Sequence, residues 1–194
     1  MRSMDEEKSL SLAKGVLQAL TAVIHIKDHY TFEHCTEVGR LCAEFSSYIG
    51  LDHQRVVQME MAGHLHDVGK IFIEESILLK PGSLSDMEYK VIKEHSKIGS
   101  DLISQVEGLG FLSDIILHHH ERWDGRGYPY CLEGEDIPFQ SRILSVCDCY
   151  HALVSDRPYR KALSRESISD IFRAEKGKQF DPNLVEDFLV FIDR

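Results

Sequence analysis

The chain has 194 residues, 43% hydrophobic and 28% charged, which is enough apolar material for one packed domain and excludes disorder over most of its length. Its formal net charge of −10 excludes a general duplex-binding surface, which gains affinity by neutralising phosphates, so an anionic substrate would need a local cationic patch. No stretch reaches the roughly 18 apolar residues of a membrane span, the first residues are acidic where a leader is basic, and five cysteines without C-x-x-C spacing read as buried thiols of a cytoplasmic protein.

In chain order, most segments carry a helical rhythm. Residues 10–26 space Leu12, Val16, Leu20, Val23 and Ile24 for one helix. His34, Val38, Leu41, Cys42, Phe45, Tyr48 and Ile49 share a second helical face, which turns His34 inward, and Gly50 is a natural stop. Residues 56–68 predict a third helix, buried on much of its circumference. Lys80-Pro81-Gly82-Ser83 is a break, and Ser85-Asp86-Met87-Glu88 reads as a capping box opening a helix through Tyr89, Ile92 and Lys93. Residues 95–105 and 111–120 give two more helical stretches. Residues 123–139, rich in glycine and holding two prolines, form a loop long enough to suggest function. Helix returns over 143–153 and again from Ser164, and Asp181-Pro182 supplies an N-cap and first-turn proline for a last helix through Val185, Phe188, Leu189 and Ile192. No strand pairs or repeats appear, so the expected architecture is an all-α bundle of about seven to nine helices.

Histidine is the compositional outlier: 11 residues, seven of them from His64 to His151. His66-Asp67 at a helix end can reach one point in space, where a carboxylate bridges two cations while the imidazole binds one. The pair gains weight from His34, His95, His118-His119-His120 and Asp148, because several histidines converging on apolar faces without a metal would be costly to desolvate. Mixed imidazole and carboxylate ligands suit iron, manganese or zinc better than calcium or magnesium.

His66-Asp67-Val68-Gly69-Lys70-Ile71 resembles the H-D-x-G-K-I signature of HD-domain phosphohydrolases, and 119–129, from His119-His120-Glu121 to Gly127-Tyr128-Pro129, resembles that of the HD-GYP subfamily. Further landmarks match in order from Lys27 to Val190: the first histidine motif at 27–34, the segments 79–84 and 93–95, Ile137-Pro138, 155–161 and 180–182. The resemblance implies an HD-domain helical bundle over 27–194, with residues 1–26 as an N-terminal helix that links or dimerises. It implies metal-dependent hydrolysis of cyclic di-GMP to linear pGpG or GMP. It further implies that His34, His66, Asp67 and Asp148 hold one metal, and that Asp67 bridges to a second completed by His95, His119 and His120. Members with a third metal carry glutamate four residues before the first histidine; Tyr30 stands there, so two divalent transition metals, iron or manganese, are expected. His118 reads as a bystander, and His25, His29, His53 and His64 as surface or core residues.

Two positions depart from the family pattern. Glu33 replaces a usual glycine and adds negative charge near the metals. His151 replaces a usual aspartate one helical turn after Asp148, so it faces the same region and puts a supporting contact in question. Two cations about 3.5–4 Å apart can activate a nucleophile and neutralise a phosphodiester, which assigns Asp67 to catalysis. Lys70, one turn after His66, can stabilise a phosphate oxygen or the leaving group. Arg122, Arg126, Arg157, Arg160 and Lys161 surround the long loop and its neighbouring turn, and Arg126, Arg157 and Arg160 with Tyr128 are the expected substrate contacts. The expected partners are a cyclic dinucleotide and a second copy or a signalling protein, with no duplex nucleic acid and no membrane. The rival readings are an HD-type phosphohydrolase for another cyclic dinucleotide or nucleotide, and a non-catalytic cyclic di-GMP receptor or interaction module.

Overall fold

A computed structural model describes residues 4–156 and 161–194, with side chains from residue 15 onward except Leu17. The described residues form nine α-helices: α1 (Met4–Lys27), α2 (His29–Tyr48), α3 (His53–Leu65), α4 (Glu75–Leu78), α5 (Asp86–Ser104), α6 (Ser113–Leu117), α7 (Phe139–Val154), α8 (Arg165–Glu175) and α9 (Pro182–Ile192). Among them there are no paired strands, only two isolated bridges. The all-α expectation holds, and so do the capping box at Ser85–Glu88 and the Asp181 cap with its following proline.

Besides longer ends on α1 and α7, three boundaries near the site differ from the sequence reading. The third helix stops at Leu65, with His66 as its C-cap, and Val68–Phe72 follows as a tight 3-10 turn. Leaving the helix there lets the neighbouring His66 and Asp67 side chains converge. Only Met59, Ala62, Gly63 and Leu65 of α3 are buried, one side of the helix rather than most of it. The stretches 85–93 and 95–105 are one helix, α5, because nothing between Lys93 and His95 interrupts the backbone pattern. By contrast, α6 ends at Leu117, and His118-His119-His120 lie in the turn beyond it.

Two close backbone approaches position the interior. Gly39 on α2 meets Gly63 on α3: a Cβ on Gly63 would stand 2.6 Å from the Gly39 Cα. Only glycine allows such a crossing, which brings His34 and His66 together with ring centroids 5.3 Å apart. The second approach is Gly69 against α5, where a Cβ would lie 2.7 Å from the Gly99 nitrogen and 2.8 Å from the His95 carbonyl carbon. The core beneath holds Val38, Phe45, Met59, Leu65, Ile116 and Ile143, all fully buried. Phe45 meets Phe188 edge-on at 4.9 Å, and Phe172 stacks on Phe180 at 4.9 Å, which ties α8 and α9 to α2. No helix of the described residues is long and apolar enough to cross a membrane.

The N-terminal helix ends against the 3-10 turn. Lys27 donates to the carbonyls of Ile71 and Ile73, at 2.7 Å each. Asp28 then caps α2 by accepting from the Tyr30 amide at 3.1 Å. The cysteine expectation is corrected in part: Cys35, Cys42 and Cys147 are buried, but Cys149 is half-buried and Cys131 is exposed. Cys131 has φ 57°, a left-handed turn position in the long loop that leaves its side chain outside the core.

Candidate metal centre

Seven side chains from five parts of the chain meet at one place. His34 comes from α2, His66 and Asp67 from the α3 terminus, His95 from α5, His119 and His120 from the turn after α6, and Asp148 from α7. Two separate donor groups result, His34, His66 and Asp148 in one and His95, His119 and His120 in the other, and a third, Cys35 with His66 and Asp67, overlaps the first; in each the ligand atoms lie within 4.8 Å of one another. Asp67 lies between the two separate groups. Its Oδ2 is 3.3 Å from His66 Nε2, and its Oδ1 is 3.3 Å from His95 Nε2. One carboxylate therefore addresses both groups, one oxygen to each.

The ring nitrogens test whether cations fit. His66, His95 and His119 each donate Nδ1–H to the carbonyl three residues earlier: Gly63 at 2.8 Å, Ile92 at 2.6 Å and Ile116 at 2.6 Å. A carbonyl only accepts, so all three carry a proton on Nδ1 and turn Nε2, the nitrogen that can ligate, inward. Those three Nε2 atoms are buried without a hydrogen-bond partner. Orphaned lone pairs beside a buried carboxylate are costly unless a cation lies among them, so the donor set fits divalent transition metals.

Electrostatics favour the ligand forms of most of the set; for His66 burial opposes the charge, but Asp67 and Cys35 outweigh it and raise its pKa well above the usual value, so a cation would take the place of that proton. Burial opposes ionisation of Asp67, but Lys70, His66 and His95 outweigh it and hold the carboxyl well below its usual range. Burial likewise opposes ionisation of Asp148, and His34 at 2.9 Å, with His66 behind it, reverses the balance. Burial, with Lys70 for His95 and His95 for His120 as the next cause in that direction, lowers His95 to about 4 and His120 to about 3, so both stay neutral, as ligands must. Lys70 donates to Asp67 Oδ2 at 2.6 Å. Burial works against its charge, yet Asp67 raises its pKa, so the ammonium persists at the site.

The centre opens into a cavity of about 520 Å³, within the range of small-molecule sites. Lys70, Tyr89, Arg126, Tyr128 and Asp148 are among its walls. Tyr128 stacks on His120 with centroids 4.8 Å apart, and burial raises its phenol pKa, so it remains a neutral donor. Arg126 is exposed on the rim. Arg157 and Arg160 lie outside the described residues. The two other cations around the loop, Arg122 and Lys161, are paired with carboxylates. Arg122 is bound to Asp124 at 2.8 and 3.0 Å and reaches Gln179 at 3.3 Å, bracing the loop against the segment before α9. Lys161 pairs with Asp156 in open solvent. Glu33 is exposed and pairs with His29 at 3.1 Å.

The chain belongs to the HD domain family. The HD domain model matches residues 18–184. The chain is 39% identical over 180 residues to the cyclic di-GMP phosphodiesterase response regulator RpfG of Xanthomonas campestris, covering 91% of this chain and 47% of that protein. It is 33% identical over 176 residues to the 3'3'-cGAMP-specific phosphodiesterase 2 of Vibrio cholerae, covering 90% of this chain and 34% of that one. The chain thus spans half or less of the length of these relatives. Among solved structures, the HDG"Y"P protein Bd1817 of Bdellovibrio bacteriovorus superposes with a TM-score of 0.68 at 16% identity, over 83% of this chain and 52% of that one, a likeness of fold.

Some residues of this HD domain were not legible as functional. Glu121 is buried and accepts the amides of Tyr130 at 2.7 Å and Leu132 at 3.1 Å, pinning the GYP loop beside His119 and His120. Its place directly after the histidine pair was the only signal. Gly127 lies against the backbone of Glu121, where a Cβ would come within 2.6 Å of the carbonyl carbon. Lys93 sits 5.2 Å over the Tyr89 ring and 5.5 Å over the Tyr128 ring at the cavity mouth. His118 is held by Asp114 and joins neither donor group, as expected of a bystander.

Proposed function

We propose that this HD domain hydrolyses a phosphodiester bond of a cyclic dinucleotide, with cyclic di-GMP as the leading substrate, using two divalent transition metals, iron or manganese. One observation carries the reading: the two Asp67 oxygens each face one of two histidine groups whose inward nitrogens are buried and unpartnered. In this assignment His34, His66, Asp67 and Asp148 hold one ion, and Asp67, His95, His119 and His120 hold the other. Such a pair supplies a water-derived nucleophile at neutral pH and positive charge against the phosphodiester.

The chain's own groups do the rest. Asp67 keeps the two halves of the centre in register. Lys70, charged and beside Asp67, lies on the cavity wall where it can meet a non-bridging oxygen or the departing alkoxide. Arg126 offers a guanidinium to the phosphate that is not cleaved, and Tyr128 offers a ring face and a hydroxyl. Arg157 and Arg160 are assigned to the same substrate on sequence grounds. Residues 1–26 are read as a linking or dimerising helix before the catalytic unit, acting with a second copy or a signalling partner in the cytoplasm.

The similarity to a 3'3'-cGAMP-specific relative supports a second reading, in which the mixed dinucleotide is the substrate. Anaerobic purification with metal analysis, then turnover of both dinucleotides with iron and with manganese, tests the proposal. Metal-dependent loss of cyclic di-GMP is expected. Preferred turnover of the mixed dinucleotide would favour the second reading, and binding without turnover would favour a receptor.

A further inference from the structure

Of the histidines assigned as ligands, His34 has its Nδ1 held in a way unlike the three that donate to backbone carbonyls. Its Nδ1 lies 2.8 Å from Nδ1 of His151, a residue 117 positions later on α7. An imidazole nitrogen can donate or accept, so the direction of this bond depends on what holds His151. Ser155, one turn further along, gives its hydroxyl proton to the His151 carbonyl at 2.7 Å. Its oxygen lone pairs are then available to the His151 ring, and His151 Nε2 lies 3.1 Å from them. Ser155 Oγ also lies 3.4 Å from His151 Nδ1, but Nε2 is the nearer nitrogen and Nδ1 faces His34 at 2.8 Å, which puts the His151 proton on Nε2 and leaves a lone pair on its Nδ1. His34 must then carry its proton on Nδ1, which frees its Nε2 toward Asp148 Oδ1, 2.9 Å away.

We propose that His151, set by Ser155, is a positioning residue for the metal centre, fixing His34 in the tautomer and orientation that ligate the ion shared with His66 and Asp148. It does for His34 what Gly63, Ile92 and Ile116 carbonyls do for His66, His95 and His119. The inference rests on the two-metal reading above and extends it to a residue outside the ligand set. Outer partners of ligating histidines tune affinity without touching the ion. In the His34–His66–Asp148 group, His34 is thus held by a side chain and His66 by backbone, while His95 and His119 in the other group are both held by backbone.

The test is Mn²⁺ binding to the metal-stripped full chain, followed by titration calorimetry, in wild type, His151→Ala, His151→Asp, Ser155→Ala, His34→Ala and the His34→Ala/His151→Ala double variant. In His151→Ala one of two binding steps is expected to weaken about 10–100-fold while the other is unmoved. His151→Asp restores the weakened step, because a carboxylate also accepts from Nδ1–H. Ser155→Ala shifts the same step less. With His34 already alanine, removing His151 adds nothing, the signature of a residue that acts through another. An unchanged isotherm in His151→Ala, equal loss at both steps without rescue by aspartate, or additive losses in the double variant would overturn the positioning role. A wild-type chain that binds no metal would overturn the two-metal reading itself, which keeps the two failures distinct.

Discussion

Gly69→Ala should damage the metal centre without touching a ligand. Gly69 follows Asp67 by two residues and lies flat against α5, where an alanine Cβ would stand 2.8 Å from the His95 carbonyl carbon and closer still to its oxygen. Carbon atoms pack at about 3.5–4.0 Å, so the 3-10 turn and α5 must part by roughly 1 Å. His95 sits at that contact, and its Nε2 is 3.3 Å from Asp67 Oδ1. Parting the two elements separates the bridging carboxylate from the second histidine group. Overpacking of this kind costs about 1–3 kcal/mol of stability, and a misplacement near 1 Å costs on the order of 100-fold in rate. The assay pairs metal content with kcat on the dinucleotide and a thermal melt. Expected are a melting temperature lower by several degrees, loss of about one metal per chain and a kcat lower by roughly two orders of magnitude. Gly15→Ala is the control, because nothing lies within 4 Å of its Cβ and helix propensity favours alanine. Full metal content and normal kcat in Gly69→Ala would refute the reasoning that this contact sets the distance between the two halves.

Tyr128→Ala and Arg126→Ala should each raise KM for the dinucleotide with metal content unchanged, while a small generic phosphodiester is cleaved as before. Equal losses on both substrates with a lower melting temperature would mean that the loop only braces the fold. Lys70→Met should lower kcat by about 10–100-fold with KM little changed, as read by steady-state kinetics, since one charge-stabilising donor is removed. The metal-free chain should lose stability as pH falls from about 6.5 to about 4. Burial holds His95 near 4 in the folded state against an ordinary 6.5, so in that window the unfolded chain binds the extra proton, and stability rises with pH. His120 and His119, also lowered, act in the same direction, and thermal melts across the window read the sum. Lys27→Met should lower the melting temperature and weaken activity together, because it frees the Ile71 and Ile73 carbonyls beside the Lys70 turn.

The donor set was legible because its residue types are scarce and regularly spaced. His34 on the apolar face of α2 and the adjacent His66-Asp67 pair needed only helical geometry to be drawn inward. What stayed hidden depends on contacts between distant segments. The Gly39–Gly63 and Gly69–Gly99 approaches leave no mark in a glycine's local sequence, yet they set the distances between ligand-bearing elements. Arg122 stood out as one of the cations around the loop, but its hold by Asp124, two residues on, and by Gln179, far along the chain, could not be read from its neighbours. The helix pattern over 111–120 ran too far because no glycine or proline in His118-His119-His120 marks a stop after Leu117, whereas the three histidines must turn out of the helix for two of them to face one centre. His151 was legible by its one-turn spacing from Asp148; its bond to His34 was not.

The most direct measurement is metal content per chain, by mass spectrometry on anaerobically purified protein, in wild type and in Asp67→Ala. Asp67 offers one oxygen to each histidine group, so wild type should carry two transition metals per chain, and Asp67→Ala should lose most of both while its far-ultraviolet circular dichroism stays helical. A wild-type value of one or none, or an Asp67→Ala protein that keeps two metals and full turnover, would contradict a centre bridged by this carboxylate.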